Sequence, residues 1–211
     1  MAYHHGCPAV PAWRLLAAYA FGFQLAFLQA QEHGPVGAFK SSFDWKWKEG
    51  RATYFGDGAW PIHIGGCNYD YLWKDEGTGY DVVALANTHP EYVGSCGGCW
   101  EVRCKNGWTK DFYGEYFDRS YSCHDESASV IVRNVDTCKC HYPPNEPSNK
   151  RWCCGDMDHL DLSRWAFEKL AELRWGVIKL EYRAVPCDYQ PEKRANNMTD
   201  VCRYCKYVDG E

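Results

Sequence analysis

The cysteines are the first residues whose spacing suggests chemistry. Cys96/Cys99 and Cys202/Cys205 are C-x-x-C pairs, the spacing that holds zinc in small sites. The cysteines between them stand singly, as Cys138-x-Cys140 or as adjacent Cys153-Cys154, which does not extend a zinc pattern. Cys7 lies in an apolar N-terminal stretch, leaving twelve: Cys67, Cys96, Cys99, Cys104, Cys123, Cys138, Cys140, Cys153, Cys154, Cys187, Cys202 and Cys205. An even, high number in an exported chain reads as a disulfide framework whose connectivity spacing alone does not give, with no metal and no cofactor expected. Aromatic side chains are the second group. The chain has 10 Trp and 15 Tyr, and planar rings offer a pyranose broad contact area at low entropy cost. Trp60, Tyr69, Tyr71, Trp73 and Trp108 fall in loop-like segments and are the candidate platforms, whereas Trp100 and Trp165 are expected in the core.

Export is argued from the first thirty residues. Arg14 precedes an apolar run from Leu15 to Leu28, and Ala30 follows as a small residue suited to cleavage. The run is short for a membrane span, so residues 1–30 are expected to be a signal peptide and the mature protein free of membrane. Formal net charge is −5 with no basic run, which argues against nucleic acid as a partner. Residues 31–42 are a Gly- and Pro-punctuated lead-in, 43–190 the folded domain and 191–211 a polar tail. Asn197-Met198-Thr199 is a glycosylation sequon at Asn197, consistent with export.

Strands dominate the elements that must position these groups. Arg51–Phe55 reads as a short strand ended by the Gly56-Asp57-Gly58 turn. Cys99–Cys104 alternates Trp100 and Val102 with Glu101 and Arg103, and Ser129–Asp136 is a β-branched central strand. Tyr80–Asn87 spaces Val82, Val83 and Leu85 as a short helix would. Ser163–Leu173 is the clear helix, with Ser163 as N-cap, and Ile178, Leu180 and Tyr182 mark a last amphipathic strand.

Several of these segments match a known family in order. Gly50-Arg51-Ala52-Thr53-Tyr54-Phe55-Gly56 resembles the first barrel strand of expansins, and Gly94-Ser95-Cys96-Gly97-Gly98-Cys99-Trp100-Glu101-Val102-Arg103-Cys104 has the family's cysteine spacing. Asn134-Val135-Asp136-Thr137-Cys138 looks like the strand leading to the cleft. Trp152-Cys153, His159-Leu160-Asp161-Leu162-Ser163 and Trp165 to Ala171 match the segment where expansins carry a His-Phe-Asp motif, here with Leu160 in place of Phe. Val185-Pro186-Cys187 closes the domain.

The resemblance, shared with family 45 glycoside hydrolases, implies a disulfide-rich, all-β-dominated fold: a six-stranded double-psi β-barrel with short helices and an open polysaccharide groove. It makes Asp161 the acidic residue of the groove, with Asp136 and Thr53 beside it. Inverting hydrolysis needs a carboxylic acid over the leaving oxygen and a carboxylate base about 6.5–9.5 Å away. The acid's pKa must be raised by burial or a second carboxylate, a part Asp136 could play. The simpler reading of Asp161 is a cap for the helix at Ser163, and Asp156 and Asp158 read as solvated loop charges. Family 45 hydrolases place their base four residues after the strand Thr, which is Asp57 here, although Gly-Asp-Gly is also a favoured turn. The expected protein is therefore a secreted, monomeric, extracellular or wall-located expansin-like protein. It would bind cell-wall polysaccharide, a β-glucan or matrix glycan, and loosen it without hydrolysis. One alternative is an inverting endo-β-1,4-glucanase with Asp161 as acid and Asp57 as base. The other is a barwin-like binding or signalling module, since the 24 residues after Cys187 are too few for the second domain of full expansins.

Overall fold

A computed structural model describes Phe43, residues 45–56 and residues 60–195, excepting the side chain of Trp60. Residues 1–42, Asp57, Asn197, Cys202 and Cys205 lie outside the described residues, and with them the expected signal peptide, lead-in, turn aspartate and sequon. The strands are β1 Lys48–Phe55, β2 Val82–Ala86, β3 Cys99–Lys105, β4 Trp108–Lys110, β5 Tyr116–Asp118, β6 Ser129–Cys138, β7 His159–Ser163 and β8 Ile178–Val185. The α-helices are α1 Trp60–His63, α2 Glu146–Trp152 and α3 Arg164–Leu170.

Six strands close into a barrel in the order β1-β7-β2-β6-β3-β8, and β4 and β5 form a separate ribbon. β1/β7 and β2/β6 run parallel, and the other neighbours run antiparallel. Alternation sends Ala52, Val83, Leu85, Leu160, Leu162 and Leu180 into the barrel interior with Trp100 and Val102, and α3 closes one side with Ala166, Phe167 and Leu170. The opposite parity, Thr53, Ala84 and Asp161, faces outward, and this face carries the candidate site.

Two elements differ from expectation. Tyr80–Asn87 contains strand β2, not a helix, and all five strand residues are buried. β2 lies between β6 and β7 with both faces covered, so its apolar residues run on without the alternation that would have marked a strand. The helix at Ser163 starts as expected, since the Ser163 side chain accepts the Ala166 N–H. It ends at Leu170 because Ala171 is extended and bridges Cys123. Trp100 is fully buried and Trp165 is half-buried against Tyr80.

Five disulfides join Cys67–Cys96, Cys99–Cys187, Cys104–Cys123, Cys138–Cys153 and Cys140–Cys154. Cys96 and Cys99 thus bond different partners. The start of the tail is tied to β6, through the Ser129 N–H to the Lys193 carbonyl and the Ala195 N–H to the Ser129 carbonyl. No helix among the described residues is long and apolar enough to cross a membrane.

Candidate functional site

Strand register builds the site. Thr53 of β1 pairs with Asp161 of β7, Asp161 pairs with Ala84 of β2, and Ala84 pairs with Asp136 of β6. Directly paired residues share a face, so Thr53, Asp161, Ala84 and Asp136 form a row across the outer wall of the barrel. Asp136 joins that row because of a bulge. The β2/β6 register shifts between Val83 and Ala84, pairing Val83 with Asn134 and Ala84 with Asp136. In a regular strand Asp136, two residues on, would share the inward parity of Asn134; bulges re-aim side chains in this way. Ala84, with the smallest of side chains, then stands between the two carboxyl-bearing positions, itself buried with Ala86, Cys138 and Cys153.

Each carboxyl is held. The Thr53 hydroxyl donates to Asp161 Oδ1 at 2.7 Å, and His159 Nε2 lies 3.1 Å from the same hydroxyl. Asp136 Oδ1 accepts the Gly66 and Thr137 N–H groups, both at 2.7 Å. Glycine is required in that loop: a Cβ on Gly65 would lie 2.3 Å from the Val135 carbonyl oxygen. Asp161 keeps some accessible surface, yet its carboxyl is desolvated and its pKa is pushed up to about 7. Desolvation is the main cause and the nearby Asp136 adds to it, while the Thr53 hydrogen bond opposes both. Asp161 therefore holds a proton at mildly acidic pH and can donate it in a hydrogen bond. It does not cap α3, a part taken by Ser163.

Asp156 and Asp158 are not solvated loop charges. Arg51, fully buried, forms a two-pronged ion pair with Asp156, both contacts at 2.7 Å, and donates to the Lys110 and Trp152 carbonyls. The Tyr182 hydroxyl donates to Asp158 Oδ2 at 2.6 Å. Both carboxylates sit in the wall beneath the site, where local sequence offered no sign of their partners 24 or more residues away.

A cleft of about 410 Å³ runs past Thr53 and Asp161 along α2, with Asn145, Ser148, Asn149 and Trp152 on its wall. Trp152 combines a planar ring with three neighbouring amide and hydroxyl side chains, a lining suited to a sugar. Its place here was not singled out from sequence; it precedes the half-cystine Cys153, which bonds Cys138 at the end of β6 and pins α2 beside the row. On the Asp136 side, Tyr71 and Trp73 are exposed in the loop that carries Gly66. Tyr71 stacks on His63 at 4.2 Å and packs against Trp73 at 4.6 Å. Tyr69 turns elsewhere: its ring covers the Arg133 guanidinium at 4.8 Å and lines a separate cleft. Trp108 is exposed on the β4–β5 ribbon and is not among the residues lining the Asp161 cleft. Asp57 and the Trp60 side chain are outside the described residues. Another cleft, about 290 Å³, surrounds Asp81, whose carboxylate is already paired with Lys169 at 2.5 Å.

Among the described residues, Cys138, Cys153 and His159 are the cluster with metal-ligand proximity. The two sulfurs bond each other, which leaves a single imidazole and no ligand set.

The family model DPBB_1, described as lytic transglycolase, matches residues 48–182. The chain belongs to this double-psi β-barrel family. Within it, the protein is expansin-like. It is 32% identical over 146 residues to expansin-A32 of Oryza sativa subsp. japonica, covering 67% of this chain and 48% of that protein. Expansin-A7 of Arabidopsis thaliana is likewise 32% identical over 145 residues, with the same two coverages. This expansin-like chain thus spans about half the length of the curated relatives it matches. Among solved structures, a mutant Clavibacter michiganensis expansin in complex with cellohexaose aligns with 24% identity and a TM-score of 0.41, over 69% of this chain and 54% of that one. The β-1,4-D-endoglucanase Cel45A of the blue mussel Mytilus edulis aligns with 18% identity and a TM-score of 0.42, over 67% and 80%.

Proposed function

We propose that this is a secreted wall protein whose groove binds a β-glucan or matrix glycan and loosens its non-covalent contacts without cutting it. The observation that carries the reading is the Thr53–Asp161–Ala84–Asp136 row, in which one carboxyl is neutral at mildly acidic pH and the other is anchored by backbone N–H groups. A neutral Asp161 donates a hydrogen bond to a glycan hydroxyl or bridging oxygen, and Asp136 accepts one. Both compete with the chain-to-chain hydrogen bonds of a packed polysaccharide. Trp152 on one side and Tyr71 with Trp73 on the other extend the contact along the strand.

Wild type and Asp161→Ala, compared for reducing-sugar release and for wall extension under load, test this directly. The expected result is no sugar release from either, with extension lost in the variant. Sugar release that Asp161→Asn abolishes would overturn it and support the inverting glucanase. One observation favours that second reading. Asp136 and Asp161 flank a single strand on one face and interact electrostatically, which sets a second carboxyl beside the acid, the pair that inversion requires. Asp57→Asn then separates the candidate bases, since a hydrolase using Asp57 would lose activity in that variant.

A further inference from the structure

Two buried histidines lie behind the row, and the proposed groove chemistry leaves both unused. His159 is fully buried and His89 is 5% exposed. His159 Nδ1 and His89 Nε2 are buried atoms with no hydrogen-bond partner among the described residues. The remaining nitrogens fix what each orphan must be. His89 Nδ1 accepts the Glu91 N–H at 3.0 Å, so a neutral His89 carries its proton on Nε2 and its orphan is a donor. The Thr53 hydroxyl has one proton and commits it to Asp161 Oδ1, so it must accept from His159 Nε2. A neutral His159 then has a bare Nδ1, and its orphan is an acceptor. The two orphans are not hydrogen-bonded to each other, although His89 is near enough to His159 to act on its charge.

We propose that His159 is a positioning residue held as its Nε2–H tautomer, so that the chain His159 → Thr53 → Asp161 runs in one direction and the acid proton of Asp161 resides on Oδ2. Oδ2 is the carboxyl oxygen with no hydrogen bond to the described residues, and Asp161 lines the cleft, so the proton is placed where a glycan can use it. The reverse arrangement would put the proton on Oδ1, pass it through Thr53 to His159 Nε2 and require a proton on His159 Nδ1. That would leave two buried imidazole N–H groups, on His159 Nδ1 and His89 Nε2, without an acceptor among the described residues, where the proposed tautomer leaves one; buried donors rarely tolerate this.

Burial, with help from the surrounding charges, keeps His159 neutral. Burial is the largest effect, and the Arg51 guanidinium, then His89, add to it; the Arg51 backbone opposes them more weakly, and the imidazole is held well below its ordinary range. Arg51 stays in place through Asp156. Around His89, burial dominates; Asp158 and Glu91 favour its charge and Lys48 opposes it. Toward the groove, His159 meets Thr53 and beyond it Asp161, with Asp136 acting on Asp161 across β2. An imidazolium here would stabilise the Asp161 carboxylate and strip the groove of its donor.

The inference rests on Asp161 being the working acid of the groove, but its test uses no glycan. Ring ¹⁵N NMR of the intact protein between pH 5 and 8 is expected to show His159 and His89 neutral and protonated on Nε2. A proton on His159 Nδ1, or an imidazolium in that range, overturns the proposal even if glycan binds. Carboxyl ¹³C titration of Asp161 supplies the second readout. His159→Gln retains an N–H for Thr53 and is expected to leave the Asp161 midpoint near its wild-type value. His159→Leu removes it, freeing Thr53 to accept from a neutral Asp161, and is expected to raise the midpoint by about one unit. Equal midpoints in the Gln and Leu variants overturn the proposal. If the Leu variant does not fold, the wild-type tautomers decide.

Discussion

Replacing Asp161 with Asn should stabilise the protein, by an amount that depends on pH. Asn is the neutral isostere of the protonated acid and still accepts the Thr53 hydroxyl. In the folded chain Asp161 has a pKa raised from 3.8 to about 7, chiefly because its carboxyl is desolvated. Between those values the unfolded chain releases this proton and the folded chain retains it. Wild-type stability from this group is therefore fully present below about pH 4 and falls as pH rises toward about 7, above which the loss is constant. The shift corresponds to on the order of 4 kcal/mol, accumulating at about 1.4 kcal/mol per pH unit. For a domain of this size that is on the order of 10 °C in Tm. Thermal unfolding of both proteins with disulfides intact, at several pH values from 4 to 8, reads it as a widening gap. A gap that stays constant across that range would refute the desolvated-acid account, because burial of a neutral group carries no pH dependence.

Three further outcomes follow from the same contacts. Arg51→Met leaves Asp156 without its buried partner and should destabilise the protein by about 3–5 kcal/mol in chemical denaturation. Trp152→Ala should weaken retention on insoluble glucan, whereas Tyr69→Ala, removed from the Asp161 cleft, should leave it largely unchanged in the same pull-down. Thiol titration of the unfolded, unreduced chain should find none of the ten described half-cystines free, since five bonds account for them.

The barrel was legible where the sequence carries alternation or a cap. Ile178, Leu180 and Tyr182 point inward from β8 as their spacing implies, and Ser163 caps α3 through the Ala166 N–H. β2 was not legible because Val82 to Ala86 is covered on both faces, and a short apolar run does not distinguish a buried strand from a helix. The cysteine pairs show the same limit at longer range. Cys99 finds Cys187 only because β3 and β8 lie side by side, a fact of topology that the C-x-x-C spacing of Cys96 and Cys99 conceals.

For the site, resemblance supplied residue types and the structure supplies their relation. Thr53, Asp136 and Asp161 share a face because two register pairings and one bulge bring them there. No reading of Asn134-Val135-Asp136 as a regular strand turns both Asn134 inward and Asp136 outward. The supporting charges were hidden for a different reason: Arg51 and Asp156 look like ordinary surface residues until β1 is seen against the turn before β7. Their pairing matters to the groove. Burial chiefly, with the Arg51 cation adding to it, keeps the His159 imidazole neutral, and Asp156 prevents that cation from standing unpaired in the wall. A neutral His159 in turn gives Asp161 no positive charge to settle against, so desolvation and Asp136 govern its pKa and the acid remains protonated where a glycan would meet it. The ion pair thus adds to the burial that keeps His159 uncharged behind the acid, and both of its partners lie outside the segment that marks the acid.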